Sequence, residues 1–241
     1  MNEIDRIVRE YERRQREIPA DYYSLENVAN LFRRQSLERS VLKILSKASI
    51  FPLAERRILD VGCGSGQWLL DFETWGATRK NMAGIDVVSA RVGDARRRLS
   101  GFHDENEEVS VGADIREGNA AALPWKDHAF DIVCQSTVFS SILDPGLRNS
   151  VASEMARVLA PGGAIIWYDF FVNNPRNPQV RGVKLNEVLE LFPGFTSSSQ
   201  RITLLPPLSR RLVPISWLVA EGLERMRLLN THLLVLLRRN Q

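Results

Sequence analysis

Between residues 57 and 170 the sequence alternates short, β-branched apolar runs with stretches of helical spacing. Strands that are buried on both faces and joined by helices are typical of parallel sheets, in which each strand–helix–strand unit crosses over the sheet. We therefore predict an α/β fold with a mainly parallel sheet. The predicted strands lie at RILDVG (57–62), MAGIDVV (82–88), ADIREG (113–118), FDIVCQS (130–136) and GAIIWYDF (163–170).

The segments on either side of this region extend the pattern. Ile4, Ile7, Val8 and Tyr11 recur with helical spacing and share one face of a helix that we predict over residues 2–17. The further predicted elements are helical structure within 24–48, a helix at 184–192, a strand at about 195–204, a longer helix at about 207–225 and a strand at 231–239.

The composition narrows the class of protein. With 44% hydrophobic and 25% charged residues, the chain matches a globular domain. It has no uninterrupted apolar run of about 18 residues, and its first 17 residues lack the apolar core of a signal peptide, so we predict a cytoplasmic protein without an integral membrane segment. Cys63 and Cys134 cannot form a disulfide framework or paired metal ligands, and we predict no metal site. The net charge of +3 is a weak argument for a nucleic-acid partner.

The segment ILDVGCGSG (58–66) ends one predicted strand and opens a helix. Gly62, Gly64 and Gly66 there allow a tight turn and the close approach of a ligand at the carboxyl end of the strand, where open α/β sheets bind their ligands. Asp86 ends the next strand and can accept both ribose hydroxyls of an adenosine; its alternative role is to cap the following helix. A dinucleotide cofactor would suit the same features, but Gln67 stands where the dinucleotide fingerprint has Gly or Ala.

An ordered set of motifs resembles the class I S-adenosylmethionine-dependent methyltransferases that act on small molecules. The resemblance covers roughly residues 55–172, and its motifs are LDVGCGSG (59–66), Asp86, EGNAAALP (117–124), FDIVCQS (130–136) and LAPGG (159–163). It implies a seven-stranded Rossmann-like sandwich of strand order 3-2-1-4-5-7-6, with strand 7 antiparallel. It also implies one methyltransferase domain over 1–241, comprising a helical cap (1–52), a cofactor-binding core (55–172) and a substrate loop with C-terminal strands (173–241).

By the same resemblance, S-adenosylmethionine is the expected cofactor. Asn119 and Ala120 would flank its adenine, and Gln135 would lie beside its methionine part. The full set of residues expected to bind it is Asp60, Gly62, Cys63, Gly64, Gly66, Asp86, Val87, Asn119, Ala120 and Gln135.

Candidates for the chemistry follow the predicted fifth strand. Asp169 and Tyr168 stand at its carboxyl end, and we predict that one of them polarises an acceptor hydroxyl. The acceptor pocket is predicted to contain Tyr22, Tyr23, Phe139, Asn173 and Arg176, although ordinary packing of the tyrosines and a solvated loop would account for the same residues.

These residues together predict methyl transfer from S-adenosylmethionine to a small metabolite, at oxygen and within a biosynthetic pathway. An RNA methyltransferase and a nicotinamide-dependent oxidoreductase are the alternatives. Near the C-terminus, Leu204–Leu208 with Arg210, Arg211 and Trp217 would suit either a helix packed on the sheet or contact with a membrane surface.

Overall fold

The computed structural model describes residues 2–101, 112–175 and 177–239, and these form one sheet with helices on both faces. The strands are β1 (Ile58–Val61), β2 (Met82–Asp86), β3 (Asp114–Glu117), β4 (Phe130–Ser136), β5 (Leu159–Phe170), β6 (Phe195–Leu204) and β7 (Asn230–Arg239). The helices are α1 (Glu3–Glu17), α2 (Val28–Lys47), α3 (Gln67–Thr74), α4 (Ser89–Arg98), α5 (Pro145–Val158), α6 (Leu185–Leu191), α7 (Pro206–Leu212) and α8 (Trp217–Met226).

The strand order is β3-β2-β1-β4-β5-β7-β6, as predicted. β1 to β5 pair in parallel, whereas β7 lies antiparallel between β5 and β6. The chain leaves β1 towards β2 on one side and enters β4 on the other side, so the order of strands reverses at β1. In open α/β sheets this reversal creates the crevice in which a ligand binds.

Two hydrophobic layers hold the sheet between its helices. One layer packs α2, α3 and α4 against one face of the sheet, through residues such as Leu45, Phe72 and Val92. The other packs α5 and α6 against the opposite face, through residues such as Met155 and Val188. Because helices cover both faces of the sheet, the cavity lies at the ends of the strands.

The predicted helix at 207–225 is wrong in one respect, because the structure divides it into α7 and α8. Pro214 lies in the turn between them, and proline has no amide hydrogen with which to continue a helix. The hydroxyl of Ser216 then begins α8 by accepting a hydrogen bond from the Val219 amide at 3.4 Å. Among the described helices, none has the length and apolar character that crossing a membrane requires.

Candidate active site

The glycine-rich loop after β1 is fixed to the end of β2 by backbone hydrogen bonds. The amides of Gly62 and Cys63 donate to the carbonyl oxygen of Ile85, at 2.8 and 3.0 Å. The amide of Gly64 donates to a carboxyl oxygen of Asp86 at 2.9 Å. These bonds place the loop at the carboxyl ends of two neighbouring parallel strands, which is the edge at which a ligand binds.

The three glycines of the loop adopt positive φ angles of +70°, +53° and +80° at Gly62, Gly64 and Gly66. A Cβ atom at Gly62 or Gly66 would collide with side chains packed against the loop. At Gly64 the only atom within 4 Å of such a Cβ would be Nη1 of Arg91, at 3.8 Å. Gly64 therefore presents open space to a ligand, whereas the other two glycines let the loop pack against the protein.

A cavity of about 690 Å³ opens above this loop. It is bounded by the carboxyl ends of β1, β2 and β4, by the segment after β3 and by α1. The strand side contributes Asp60, Gly64, Asp86, Asn119 and Thr137, among others, and α1 contributes Ile4, Ile7, Tyr11, Arg14 and Gln15. A volume of this size matches the small-molecule and cofactor sites of proteins.

Three carboxyl groups of the described residues line the cavity, and the two at the strand ends, Asp60 and Asp86, lie in different environments. Asp60 is buried, and its burial raises its pKa to about 8, against the opposing effect of a hydrogen bond from the Cys134 thiol at 3.6 Å. Asp86 accepts the Gly64 amide on one oxygen and the Val88 amide on the other, at 2.9 and 2.8 Å. Each oxygen of Asp86 keeps a lone pair for a ligand hydroxyl.

The N-terminal helix α1 closes one side of the cavity and is held there by polar contacts. Glu3 accepts the Leu143 amide at 2.5 Å, and Arg6 donates to the carbonyl oxygen of Ser141 at 2.6 Å. The hydroxyl of Tyr11 lies 3.1 Å from the hydroxyl of Ser141. α1 is therefore a wall of the site, and its inward face can contact whatever occupies the cavity.

Comparison with known proteins identifies the domain within residues 58–163. The sequence profile of a family described as a methyltransferase domain matches residues 58–163, which include the glycine-rich loop and Asp86. Residues 58–163 form a class I methyltransferase domain. The cofactor of this family is S-adenosylmethionine.

Curated relatives are also methyltransferases, and a solved structure shares the fold. The chain is 31% identical over 114 residues to a demethylmenaquinone methyltransferase of Lactococcus lactis subsp. lactis, an alignment of 45% of this chain and 40% of the relative. It is 30% identical over 156 residues to the 27-O-demethylrifamycin SV methyltransferase of Amycolatopsis mediterranei, covering 64% of this chain and 54% of the relative. The crystal structure of a putative sarcosine dimethylglycine methyltransferase from Galdieria sulphuraria has the same fold, with a TM-score of 0.62, 14% identity and 85% of each chain covered. The chain thus spans about half the length of these two relatives.

The residues of the methyltransferase domain fit S-adenosylmethionine. The open space beside Gly64 is a cradle that a Cβ atom would fill, and the free lone pairs of Asp86 suit two neighbouring hydroxyls. The buried carboxyl of Asp60 has only a thiol as its hydrogen-bond partner among the described residues, and an ammonium group would compensate its charge. These groups match the ribose and the amino-acid part of the cofactor.

Most residues predicted to bind the cofactor line the cavity of the methyltransferase domain: Asp60, Gly62, Cys63, Gly64, Asp86, Val87, Asn119 and Ala120. The side-chain oxygen of Asn119 accepts the amide of Ala121 at 2.9 Å, which shapes the turn after β3. Gly66 lies behind the loop, where its amide donates to the carbonyl oxygen of Cys63 at 2.9 Å. It supports the cradle without facing the cavity.

The structure corrects the predicted position of Gln135. Its side chain is fully buried and does not line the cavity. Its amide group accepts the Val138 backbone amide at 3.1 Å and donates to the carbonyl oxygen of Tyr168 at 3.4 Å. Gln135 therefore holds the turn after β4 in place, because that turn leaves backbone groups that need buried partners.

The structure also corrects both predicted catalytic residues. The hydroxyl of Tyr168 lies 2.8 Å from the hydroxyl of Thr203, and burial raises the pKa of Tyr168 to about 12. Asp169 accepts the amides of Ser140 and Phe170 at 3.0 and 2.9 Å, and burial raises its pKa to about 7. Neither side chain lines the cavity, because β7 and the turn after β4 cover the end of β5. Both residues stabilise the fold.

Of the predicted acceptor residues that the structure describes, only Tyr23 lines the main cavity. Tyr22 lines a separate hollow, where the guanidinium of Arg210 lies 4.3 Å from the centre of its ring. The rings of Tyr22 and Tyr23 are in contact, with their centres 4.9 Å apart, but they border different hollows.

The remaining acceptor predictions fail or lie outside the described residues. Phe139 is buried, with its ring centre 4.3 Å from that of Trp167. Asn173 braces its own loop by accepting the Gly182 amide at 2.9 Å, and it does not line the cavity. Arg176 lies outside the described residues.

The sequence analysis missed the contribution of α1 to the site. Its apolar stripe was evident, but the stripe predicts only a helix with one buried face. Ile4, Ile7 and Tyr11 belong to that stripe and line the cavity, together with Arg14 and with Arg91 of α4. The apolar stripe of α1 is the signal that could have indicated these residues. A helix that precedes the first strand belongs to no strand–helix–strand unit, so its apolar face has no assigned place on the sheet.

Proposed function

We propose that this protein transfers a methyl group from S-adenosylmethionine to an oxygen atom of a small metabolite, within a biosynthetic pathway in the cytoplasm. The observation that carries the proposal is that one cavity joins a cofactor cradle at the strand ends to an apolar compartment under α1. A large polyanion is a less suitable acceptor, because α1 encloses the compartment and limits the size of what enters. The names of the relatives, which act on menaquinone and rifamycin precursors, support a small acceptor.

The proposed cofactor contacts follow from the lining of the cavity. Asp86 would accept the ribose hydroxyls, Gly64 would allow the close approach of the cofactor, and Asp60 would face its ammonium group. Asn119 and Ala120, on the turn after β3, would border the adenine. Bound there, S-adenosylmethionine supplies a methyl group that is already activated for displacement.

The proposed acceptor compartment is mainly apolar. Its wall is formed by two isoleucines of α1 together with residues of the segment that follows β4 and of α5: Ile4, Ile7, Ile142, Leu147 and Val151. The paired hydroxyls of Tyr11 and Ser141 form a polar edge. This combination suits a largely apolar acceptor with one hydroxyl group, which the polar edge would orient.

The proposed mechanism depends on alignment. Among the described residues that line the cavity there is no histidine. Of the three acidic groups there, Asp60 and Asp86 belong to the proposed cofactor contacts, and Asp94 is paired with Arg97 of its own helix. Holding the nucleophile in line with the methyl group removes much of the entropic barrier. We therefore propose an acceptor whose hydroxyl ionises readily, such as a phenol or an enol, because such a group needs little help from a general base.

Calorimetry with the purified chain tests the cofactor part of the proposal. We expect binding of S-adenosylhomocysteine and no heat with NAD; the reverse result would assign the protein to the oxidoreductases. A panel of phenols, enols and alcohols, with formation of S-adenosylhomocysteine as the readout, then tests the acceptor. Mass spectrometry of the product locates the new methyl group, and methylation at nitrogen or carbon would contradict the proposal for oxygen.

A further inference from the structure

The C-terminal helices carry an unusual concentration of exposed apolar side chains. Of the 14 large hydrophobic residues that are exposed in the described chain, seven fall within residues 205–229. The most exposed are Ile215, Leu218 and Leu228, at 81%, 80% and 76%. The seven are Leu205, Ile215, Leu218, Val219, Met226, Leu228 and Leu229.

These side chains are not used to pack the helices on the protein. α8 is anchored by its opposite face, where Ala220 is buried and the ring of Trp217 lies 5.1 Å from that of Phe32. Leu218 and Val219 are adjacent, and Met226 follows Val219 by seven residues, about two helical turns, so these exposed side chains share the outward side of α8. Isolated exposed apolar residues need no explanation, but several on one side of a helix do.

Basic residues accompany these apolar side chains along the chain. Arg210, Arg211, Arg225 and Arg227 lie in the same stretch, and we name the seven apolar residues together with these four arginines the apolar-basic face. Of the two acids in residues 205–229, Glu224 points inward, where it accepts the hydroxyl of Ser36 at 2.7 Å and the amide of Thr203 at 2.8 Å. Glu221 is paired with Arg225 at 2.8 Å. The face therefore presents a net positive charge.

We propose that the apolar-basic face docks on the surface of an anionic lipid bilayer. Two contributions bind a protein to such a surface: apolar side chains enter the headgroup region, and arginines interact with anionic lipids. With 7 and 10 residues, α7 and α8 are too short to span a bilayer and would lie in its plane. The proposal does not depend on methyl transfer.

The distribution of charge argues for lipid over a second copy of the chain. A symmetric dimer would bring the same patch of each copy together and would set arginines against arginines. An anionic bilayer instead presents negative charge to the arginines of the face. Few acidic residues oppose these arginines: Glu221 pairs with Arg225, and Asp21 and Glu26 line the hollow beside Arg210.

The apolar-basic face also adjoins the proposed acceptor cavity. Pro19, in the connection between α1 and α2, lines both that cavity and the hollow that contains Arg210. A bilayer on this face would therefore lie beside one wall of the cavity.

Sedimentation of the full chain with lipid vesicles tests the proposal. We expect binding to vesicles of phosphatidylcholine with roughly 30 mol% phosphatidylglycerol, weak binding to phosphatidylcholine alone, and loss of binding at high salt. The double variant I215D/L218D should lower the partition coefficient at least about tenfold. The double variant R211Q/R225Q should lower it about fivefold per arginine on the anionic vesicles only.

Matched controls carry the same changes outside the face. Leu189→Asp alters an exposed apolar residue of α6, and Arg97→Gln alters an exposed arginine of α4. Both should bind vesicles like the wild type, and circular dichroism should show that all variants are folded. Absence of vesicle binding, or binding that the face variants do not reduce, would overturn the proposal. A dimer that I215D/L218D dissociates, without vesicle binding, would show instead that the face joins two copies.

Discussion

Replacing Asp86 by alanine separates its effect on the fold from its proposed effect on the cofactor. The change removes two hydrogen bonds from backbone amides to a charged acceptor, at 2.9 and 2.8 Å, and should lower the free energy of unfolding by about 2–3 kcal/mol. It also removes the acceptor proposed for two ribose hydroxyls. We expect a further loss of about 2–4 kcal/mol in binding, which raises the Kd for S-adenosylhomocysteine about 30- to 900-fold.

Asp131→Ala is the matched control for this prediction. Asp131 also accepts a backbone amide, that of Arg57 at 2.9 Å, and pairs with the Arg57 guanidinium, but at the amino end of the sheet. Urea denaturation should show that both variants lose stability, while calorimetry should show that only Asp86→Ala loses affinity. Wild-type affinity in Asp86→Ala would refute the reasoning and leave Asp86 with the structural role alone.

Three further variants test the site and the corrected residues. Gly64→Ala should cost about 1–2 kcal/mol of stability, because of its positive φ, and should weaken calorimetric binding of S-adenosylhomocysteine by filling the cradle; unchanged binding would mean that the ligand does not approach this loop. Tyr168→Phe should lower the melting temperature by removing the hydrogen bond to Thr203 and should leave kcat unchanged, whereas a large fall in kcat would restore its catalytic role. Asp169 binds its proton more tightly in the folded protein, with a pKa of about 7, so its contribution to stability is complete below about pH 4 and is lost as pH rises through 7. In urea denaturation between pH 5 and 7, the free energy of unfolding of the wild type should include a decline of about 1.4 kcal/mol per pH unit that Asp169→Asn removes. Parallel pH profiles of the free energy of unfolding for variant and wild type would contradict this assignment.

The fold and the cofactor cradle could be predicted from the sequence because their signals are local. The alternation of apolar runs and helical stretches follows from the periods of strand and helix, which neighbouring residues alone determine. The turn of Gly62, Gly64 and Gly66 needs backbone conformations that glycine adopts at little cost, and it is joined to Asp86 by a single strand–helix–strand unit. The break between α7 and α8 also has a local signal, because Pro214 cannot continue a helix.

The acceptor side of the cavity could not be predicted, because it is built from residues that are distant in the chain. Tyr168 and Asp169 end a parallel strand, which indicates a site, but Thr203 and Ser140 arrive from 35 and 29 residues away and bury them. In the same way, α1 becomes a wall of the cavity only through contacts such as Tyr11 with Ser141, 130 residues apart. The sequence by itself determined which segments form strands, helices and the glycine turn. Only the tertiary structure decided which strand ends stay open, since that depends on what the rest of the chain packs against them.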